Sequence, residues 1–243
     1  QARDDYIRVV LDRSPENVER FLDLHALRKL RQPERTDVLK LLELQRQAML
    51  MYTSCGWFFD DLSGIETVQV IQYAGRALQL AGELFGSDLE ERFLQLLERA
   101  KSNLPDHRDG RLIYEKFVKP ATVNLEKVGA HYAISSLFET YGEESRVYCH
   151  TVHCQDFCLL EQGRARLVLG RASIRSEITG ESSLVSFGVL HLGDQNVSGG
   201  VRVFRGEPAY QTLKSEIAEI FRRGDIPGII RAVDRNFGSG TYS

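Results

Sequence analysis

Three short stretches of this sequence concentrate residue types that do chemistry. The densest holds Cys149, His150, His153, Cys154 and Cys158. Thiolates and imidazoles are the ligands of tetrahedral zinc, and a thiol beside an imidazole is the start of a nucleophilic pair. The spacing argues against both. Zinc knuckles bring two sulfurs to one ion through a Cys-x2-Cys turn, which is absent, and no third group is visible to orient a Cys–His pair. On a strand, Cys149, Thr151 and His153 point one way and His150, Cys154 and Cys158 the other, so neither face supplies four ligands. Buried structural thiols with satisfied histidines are the simpler expectation. A metal- or redox-sensing module built on Cys149, His153, Cys154 and Cys158 is the alternative. No resident metal and no cofactor is expected.

The second stretch, Met51 to Asp61, gathers the single tryptophan, Trp57, with Tyr52, Phe58, Phe59 and the adjacent carboxylates Asp60 and Asp61. Sugar rings present apolar C–H faces with polar rims, so aromatics beside carboxylates suit them. The plainer expectation is that the aromatics anchor a core while Asp60, Asp61 and Ser63 cap the following helix. Three consecutive aromatics cannot all face inward, so at least one belongs at a surface or an interface. The third stretch runs from Gly188 through His191, Asp194, Asn196 and Gly200 to Arg202. Its glycines could cradle a ligand, but a twisted hairpin needs the same residues. A phosphate-binding loop would require Gly-Lys-Ser/Thr or a strand-to-helix glycine run, and neither occurs.

The frame that must hold these stretches is ordinary in composition. The chain has 243 residues, 42% hydrophobic and 27% charged, with a net charge of −3. That length buries about 70–75% of the unfolded surface, which needs no disulfide or metal to hold it. Neither half carries a basic excess, so no nucleic-acid face is expected. No window approaches 18 apolar residues, so no membrane span is expected. Four cysteines, at 55, 149, 154 and 158, fit reduced cytoplasmic thiols better than a disulfide framework. The first residue is Gln1, and the sequence reads as an excised piece of a longer chain.

Residues 1–142 read as a helical bundle. Ser14-Pro15 starts one helix, Pro33 breaks the run, and Thr36 is placed to cap the next. From Gly64 a long helix carries Ala74, Gly75, Ala77, Ala81 and Gly82, a small-residue stripe that invites close packing, and Gly86 ends it. Ser87-Asp88-Leu89-Glu90 forms a capping box for another helix. A last helical stretch from Leu112 to Phe138 is interrupted or kinked near Pro120. Residues 143–205 then alternate as about four antiparallel strands with turns at Gly163, Thr179-Gly180-Glu181 and Asp194-Gln195-Asn196. Residues 206–243 return to closing helices. The expected fold class is α+β, an N-terminal helical bundle followed by a small antiparallel β-meander and C-terminal helices, read as one composite domain over 1–243.

A family resemblance attaches to particular residues of this frame. The stretch Leu44–Glu66, with Met51-Tyr52-Thr53-Ser54-Cys55-Gly56-Trp57-Phe58-Phe59-Asp60-Asp61 at its centre, resembles a signature of a C-terminal domain. That domain follows the catalytic part in a bacterial branch of glycoside hydrolase family 57-like (α-amylase/α-mannosidase-like) proteins. Ala2 to Ile7, Cys149 to Cys158, His191-Leu192-Gly193-Asp194 and Asn236-Phe237-Gly238 to Ser243 also resemble it. The resemblance implies a non-catalytic accessory domain whose partner is an N-terminal catalytic barrel of the same chain, and whose possible ligand is an α-glucan. Retaining chemistry needs two carboxyls about 5–5.5 Å apart across the scissile bond. Adjacent Asp60 and Asp61 diverge, so no catalytic residue is carried over. The wider family lines its cleft with a serine-aspartate-tryptophan-aromatic motif. Ser54-Cys55-Gly56-Trp57-Phe58-Phe59 is similar to it, with Cys-Gly in place of the aspartate. The implied substrate-contacting residues are Trp57, Asp60 and Asp61. The rival expectation is a structural or interaction module with no sugar contact.

Overall fold

In the computed structural model, which describes residues 1–86, 88–194, 196–238 and 241–242, the chain is α+β. It forms two compact units, Gln1–Thr122 and Val123–Ser243. The division falls some twenty residues before the change from helix to strand. The reason is the break at Pro120, which is complete rather than a kink. Helix α8 (Gly110–Ile113) runs on as a π turn over Tyr114–Val118, and the helix that follows starts afresh at Leu125. Proline offers no N–H to continue the ladder, and Asn124 caps the new start by accepting from the Lys127 N–H at 2.8 Å.

The first unit is helical. Short α1 (Ala2–Asp5) and α2 (Ile7–Leu11) lead into α3 (Pro15–His25), where Ser14 is the N-cap and Pro15 takes the first turn as its sequence predicts. Helix α4 (Gln32–Leu50) corrects the expected break at Pro33. The proline sits in its first turn, where no intrahelical hydrogen bond is lost, and the Glu34 carboxylate accepts the Arg31 N–H at 2.8 Å. Thr36 is therefore inside the helix and caps nothing. After α5 (Cys55–Phe58), the long α6 (Ile65–Phe85) ends at Gly86 in the left-handed conformation, φ 61°. The small-residue stripe on α6 does admit a neighbour: a Cβ on Gly75 would come within 2.9 Å of the Val118 side chain. Helix α7 (Leu89–Leu97) follows Asp88, and Ser87 of the expected capping box lies outside the described residues. Tyr6, Val9, Phe21, Leu22 and Leu39 form one core cluster. Ile71, Leu94, Ile113, Tyr114 and Val118 form another.

The second unit is a sheet between helices. Strands β1 (Glu144–Val147), β2 (His150–Gln162), β3 (Ala165–Ser176), β4 (Ser182–His191), β5 (Val197–Val203) and β6 (Thr241–Tyr242) pair antiparallel in chain order; β1 to β5 form a meander, and β6 joins β5 after two intervening helices. Helix α9 (Leu125–Ser135) covers one face through Val128, Ala133, Val168, Ile174, Val185 and Phe187. Its Gly129 sits close on the sheet, where a Cβ would meet Ile174 at 2.9 Å. Helices α10 (Glu207–Arg222) and α11 (Ile226–Phe237) cover the other face over Leu167, Leu169 and Leu190. With both faces buried, the central strands lose the inside-outside alternation of a one-sided sheet; β3 reads as a buried run from Leu167 to Gly170.

Candidate functional site

The aromatic turn is built around one close approach. Gly56 packs on α6 where any larger residue would meet both Val70 methyls at 3.1 Å. The buried Thr67 hydroxyl donates to the Gly56 carbonyl at 3.3 Å. Leu62 joins the cluster of Ile71, Leu94 and Tyr114. These contacts press the backbone of α5 onto α6 and turn its aromatics outward. Trp57 is 75% exposed and Phe58 73%, with Phe59 and Tyr52 also exposed. Phe58 and Phe59 meet edge-on, centroids 5.3 Å apart. The reading of these aromatics as core anchors is thus corrected: on so short a helix, the face that packs is occupied by glycine.

The two carboxylates part company. Asp61 turns inward and accepts from the Ser63 N–H (2.8 Å), the Ser63 hydroxyl (2.6 Å), the Ser102 hydroxyl (2.9 Å) and the Asn103 N–H (2.6 Å). It clamps the turn to a loop forty residues further on. It does not cap α6, whose N-cap is Gly64 without a side-chain bond. Hydrogen bonds from Ser63, then those from Asn103 and Ser102, hold its carboxyl well below the usual range, so it stays ionised and cannot donate a proton near neutral pH. Asp60 is exposed, and its backbone carbonyl accepts from the Asn103 side chain. The turn therefore offers bare rings beside one free carboxylate on a pinned backbone. Such a surface can stack on a sugar or an apolar neighbour. It contains no acid–base pair.

The cysteines are dispersed by a β-bulge. Register with β3 shifts between Cys154 and Asp156, which reverses the alternation of β2. Cys154 packs with the α9 core, while Cys158 packs with the α10–α11 core on the opposite face. Cys149 lies in the tight turn before β2, its sulfur 3.6 Å from His150 Nδ1, and His153 is exposed. Among the described residues, no three His, Cys, Asp or Glu side chains are grouped to hold a metal ion.

Against known families, residues 1–243 match the one described as Domain of unknown function (DUF3536). The chain belongs to the DUF3536 family. Neither the curated proteins nor the solved structures yield a match to it.

The glycines of the DUF3536 chain's third stretch are filled by its own core. Gly188 pairs with Gly200 across β4 and β5, and the Phe237 ring lies over both. A Cβ on Gly188 would reach that ring at 3.2 Å, and one on Gly200 would run into it. Gln195 of the expected turn lies outside the described residues; Gly193 (φ 102°) and Asp194 (φ 52°) make the bend beside it.

Two polar networks escaped the sequence reading. Glu43 is 3% exposed and accepts from the Tyr6 hydroxyl and Arg13, both at 2.7 Å, and from Arg46 at 3.2 Å. Burial pushes its carboxyl up, but these hydrogen bonds and the charges of Arg13 and Arg46 outweigh it, leaving it below the ordinary value. On the second unit, Asp156 accepts from Tyr210 and Lys214, each at 2.6 Å. Burial likewise raises its carboxyl and Lys214 and Tyr210 more than offset that. A glutamate four residues after Leu39 on an apolar helix face was the available signal for the first. The second needed the bulge, which turns Asp156 toward α10. No helix among the described residues is long and apolar enough to cross a membrane.

Proposed function

We propose that this chain is a non-catalytic accessory domain of a family-57-like glycoside hydrolase or transglycosylase. Its aromatic turn docks on the catalytic barrel of the same polypeptide, with Trp57 and Asp60 beside the α-glucan cleft and Asp61 holding them in place. The observation that carries this reading is a pair of bare rings, Trp57 and Phe58, on a backbone that Gly56, Thr67 and Asp61 pin. Large exposed aromatics on a rigid turn are the surface that a partner or ligand covers. The likeness of Leu44–Glu66 to the signature of such a domain supplies the class of neighbour. A reducing, cytoplasmic setting fits the four unpaired cysteines.

The test is Trp57→Ala in the longer protein that carries the catalytic part, assayed on α-glucans. Turnover should fall while the melting temperature of the domain holds. Unchanged kinetics with an unchanged melt would overturn the cleft assignment. A second reading, interaction without sugar contact, draws on the saturation of the Asp61 carboxylate by protein donors. It predicts that Trp57→Ala loosens the domain from the barrel and leaves the KM for glucan untouched.

A further inference from the structure

Strand β2 is thirteen residues long, yet β1 pairs only with His150–His153, and the ladder on that side ends where the Cys154 N–H donates to the Glu143 carbonyl at 2.8 Å. Beyond it the chain turns away. From Gln155 to Gln162 no strand among the described residues lies on the outer side. Past the bulge this edge is regular, pairing with β3 in unbroken register from Phe157–Gly170 to Gln162–Ala165. Protein edges of this kind are normally guarded by lysine, proline or an inward charge. Residues 156–162, Asp-Phe-Cys-Leu-Leu-Glu-Gln, have no lysine and no proline. The Asp156 carboxylate is taken by Tyr210 and Lys214, and Glu161 by Arg166 at 3.1 Å. Only the bulge at the start disturbs the edge.

Beside this edge lies a groove of about 470 Å³. Phe157 and Leu159, each 42% exposed, form one wall. Tyr132 and Tyr141 stand behind, their rings stacked at 5.0 Å. Glu139 and Glu143 stand on the rim, both exposed, and neither has a cationic partner among the described residues. We propose that the β2 edge and this groove receive an extended peptide segment of another protein, which adds a strand alongside Phe157–Gln162 and places an arginine or lysine between Glu139 and Glu143. Main-chain hydrogen bonds to the open edge supply sequence-independent affinity, and the groove selects alternate side chains. Unpaired carboxylates beside aromatic rings favour a cationic side chain over an anionic or neutral one. A second copy of this chain fits worse, because its own edge segment, Asp156–Gln162, carries no lysine or arginine to place between the glutamates.

The experiment selects short random displayed peptides on the immobilised chain, then measures the synthesised winner by titration and by hydrogen exchange. The expected winners alternate β-branched residues with at least one Arg or Lys, and they slow exchange of amides within 155–162. The double variant Glu139→Lys/Glu143→Lys changes only exposed loop carboxylates and leaves the fold intact. It should weaken binding by about tenfold or more, with the loss shrinking at high salt. Enrichment of acidic or uncharged peptides, or of none, overturns the proposal, as does binding that leaves exchange within 155–162 unchanged. So does concentration-dependent dimerisation that protects 155–162 with no peptide present, which would assign the edge to a second copy.

Discussion

The turn at Cys55–Asp61 and the seam at Gly188, Gly200 and Phe237 put glycine and aromatic residues to opposite uses. In the seam the glycines clear a trough across two paired strands, and an aromatic from α11 fills it. In the turn one glycine lets four residues of helix lie flat on α6, and the aromatics are left outside. The difference is where the ring comes from. Phe237 arrives from another element and lands on the glycines, whereas Trp57 and Phe58 directly follow their glycine in sequence and are carried away from what it touches. Glycine beside aromatic residues in a sequence therefore marks a close approach without saying which side of it the rings occupy.

The largest effect expected from that contrast is on the seam. Phe237→Ala should destabilise the second unit by about 3–5 kcal/mol, the usual cost of deleting a buried aromatic, read as a drop in its denaturation midpoint. Gly200→Ala should follow at about 1–3 kcal/mol, because the added methyl overlaps a ring that α11 holds in place. The double variant should cost less than the sum of the two, since the alanine at 200 would occupy part of the cavity left by Phe237. Strict additivity would mean that the ring and the glycine do not share a site.

The helices with strong end signals were legible in the sequence: Ser14-Pro15 and Gly86 act where their chemistry places them. The meander was legible too, because turns at Gly163 and Gly180 have positive φ and separate the strands cleanly. What failed was the position of a residue within its element, and anything decided by a partner distant in sequence. Pro33 is a helix breaker by type and a first-turn residue by position. The bulge at Gln155 has no local signature, yet it decides that Cys154 and Cys158 face different cores. Asp61 resembles a capping or ligand carboxylate until Ser102 and Asn103 arrive from another loop. At the candidate site two expected roles give way to others: Trp57 is exposed instead of anchoring a core, and Asp61 clamps two loops together instead of capping α6.

On the turn the expected effects are smaller and depend on pH. Asp61→Asn keeps the shape of the side chain but loses charge-assisted hydrogen bonds to Ser63, Ser102 and Asn103. The folded carboxyl titrates below its unfolded value of about 3.9. Its contribution is therefore complete above that pH and drains away as pH falls below it. The wild-type melting temperature should drop more steeply than that of the variant once the pH passes below about 4. Near neutral pH the variant should melt slightly lower, with faster exchange at the Ser63 and Asn103 amides. Parallel pH profiles for the two proteins would show that the clamp does not carry its charge into the folded state.

The smallest stability effect belongs to the most conspicuous residue. Trp57→Ala removes the largest side chain in the sequence, and in a core that would cost several kcal/mol. Here the ring touches mainly solvent, so the variant should unfold within about 0.5 kcal/mol of the parent chain. Because Trp57 is the single tryptophan, the tryptophan emission of the chain, excited selectively over tyrosine, reports on this turn alone. Its emission should be that of a hydrated indole and should be readily quenched by iodide. In a longer protein where the turn is docked, the emission from Trp57 should shift to the blue and lose quencher access, and Asp61→Asn should partly reverse both changes. A blue, unquenchable Trp57 in this chain by itself would place the ring in a core and erase the difference between turn and seam.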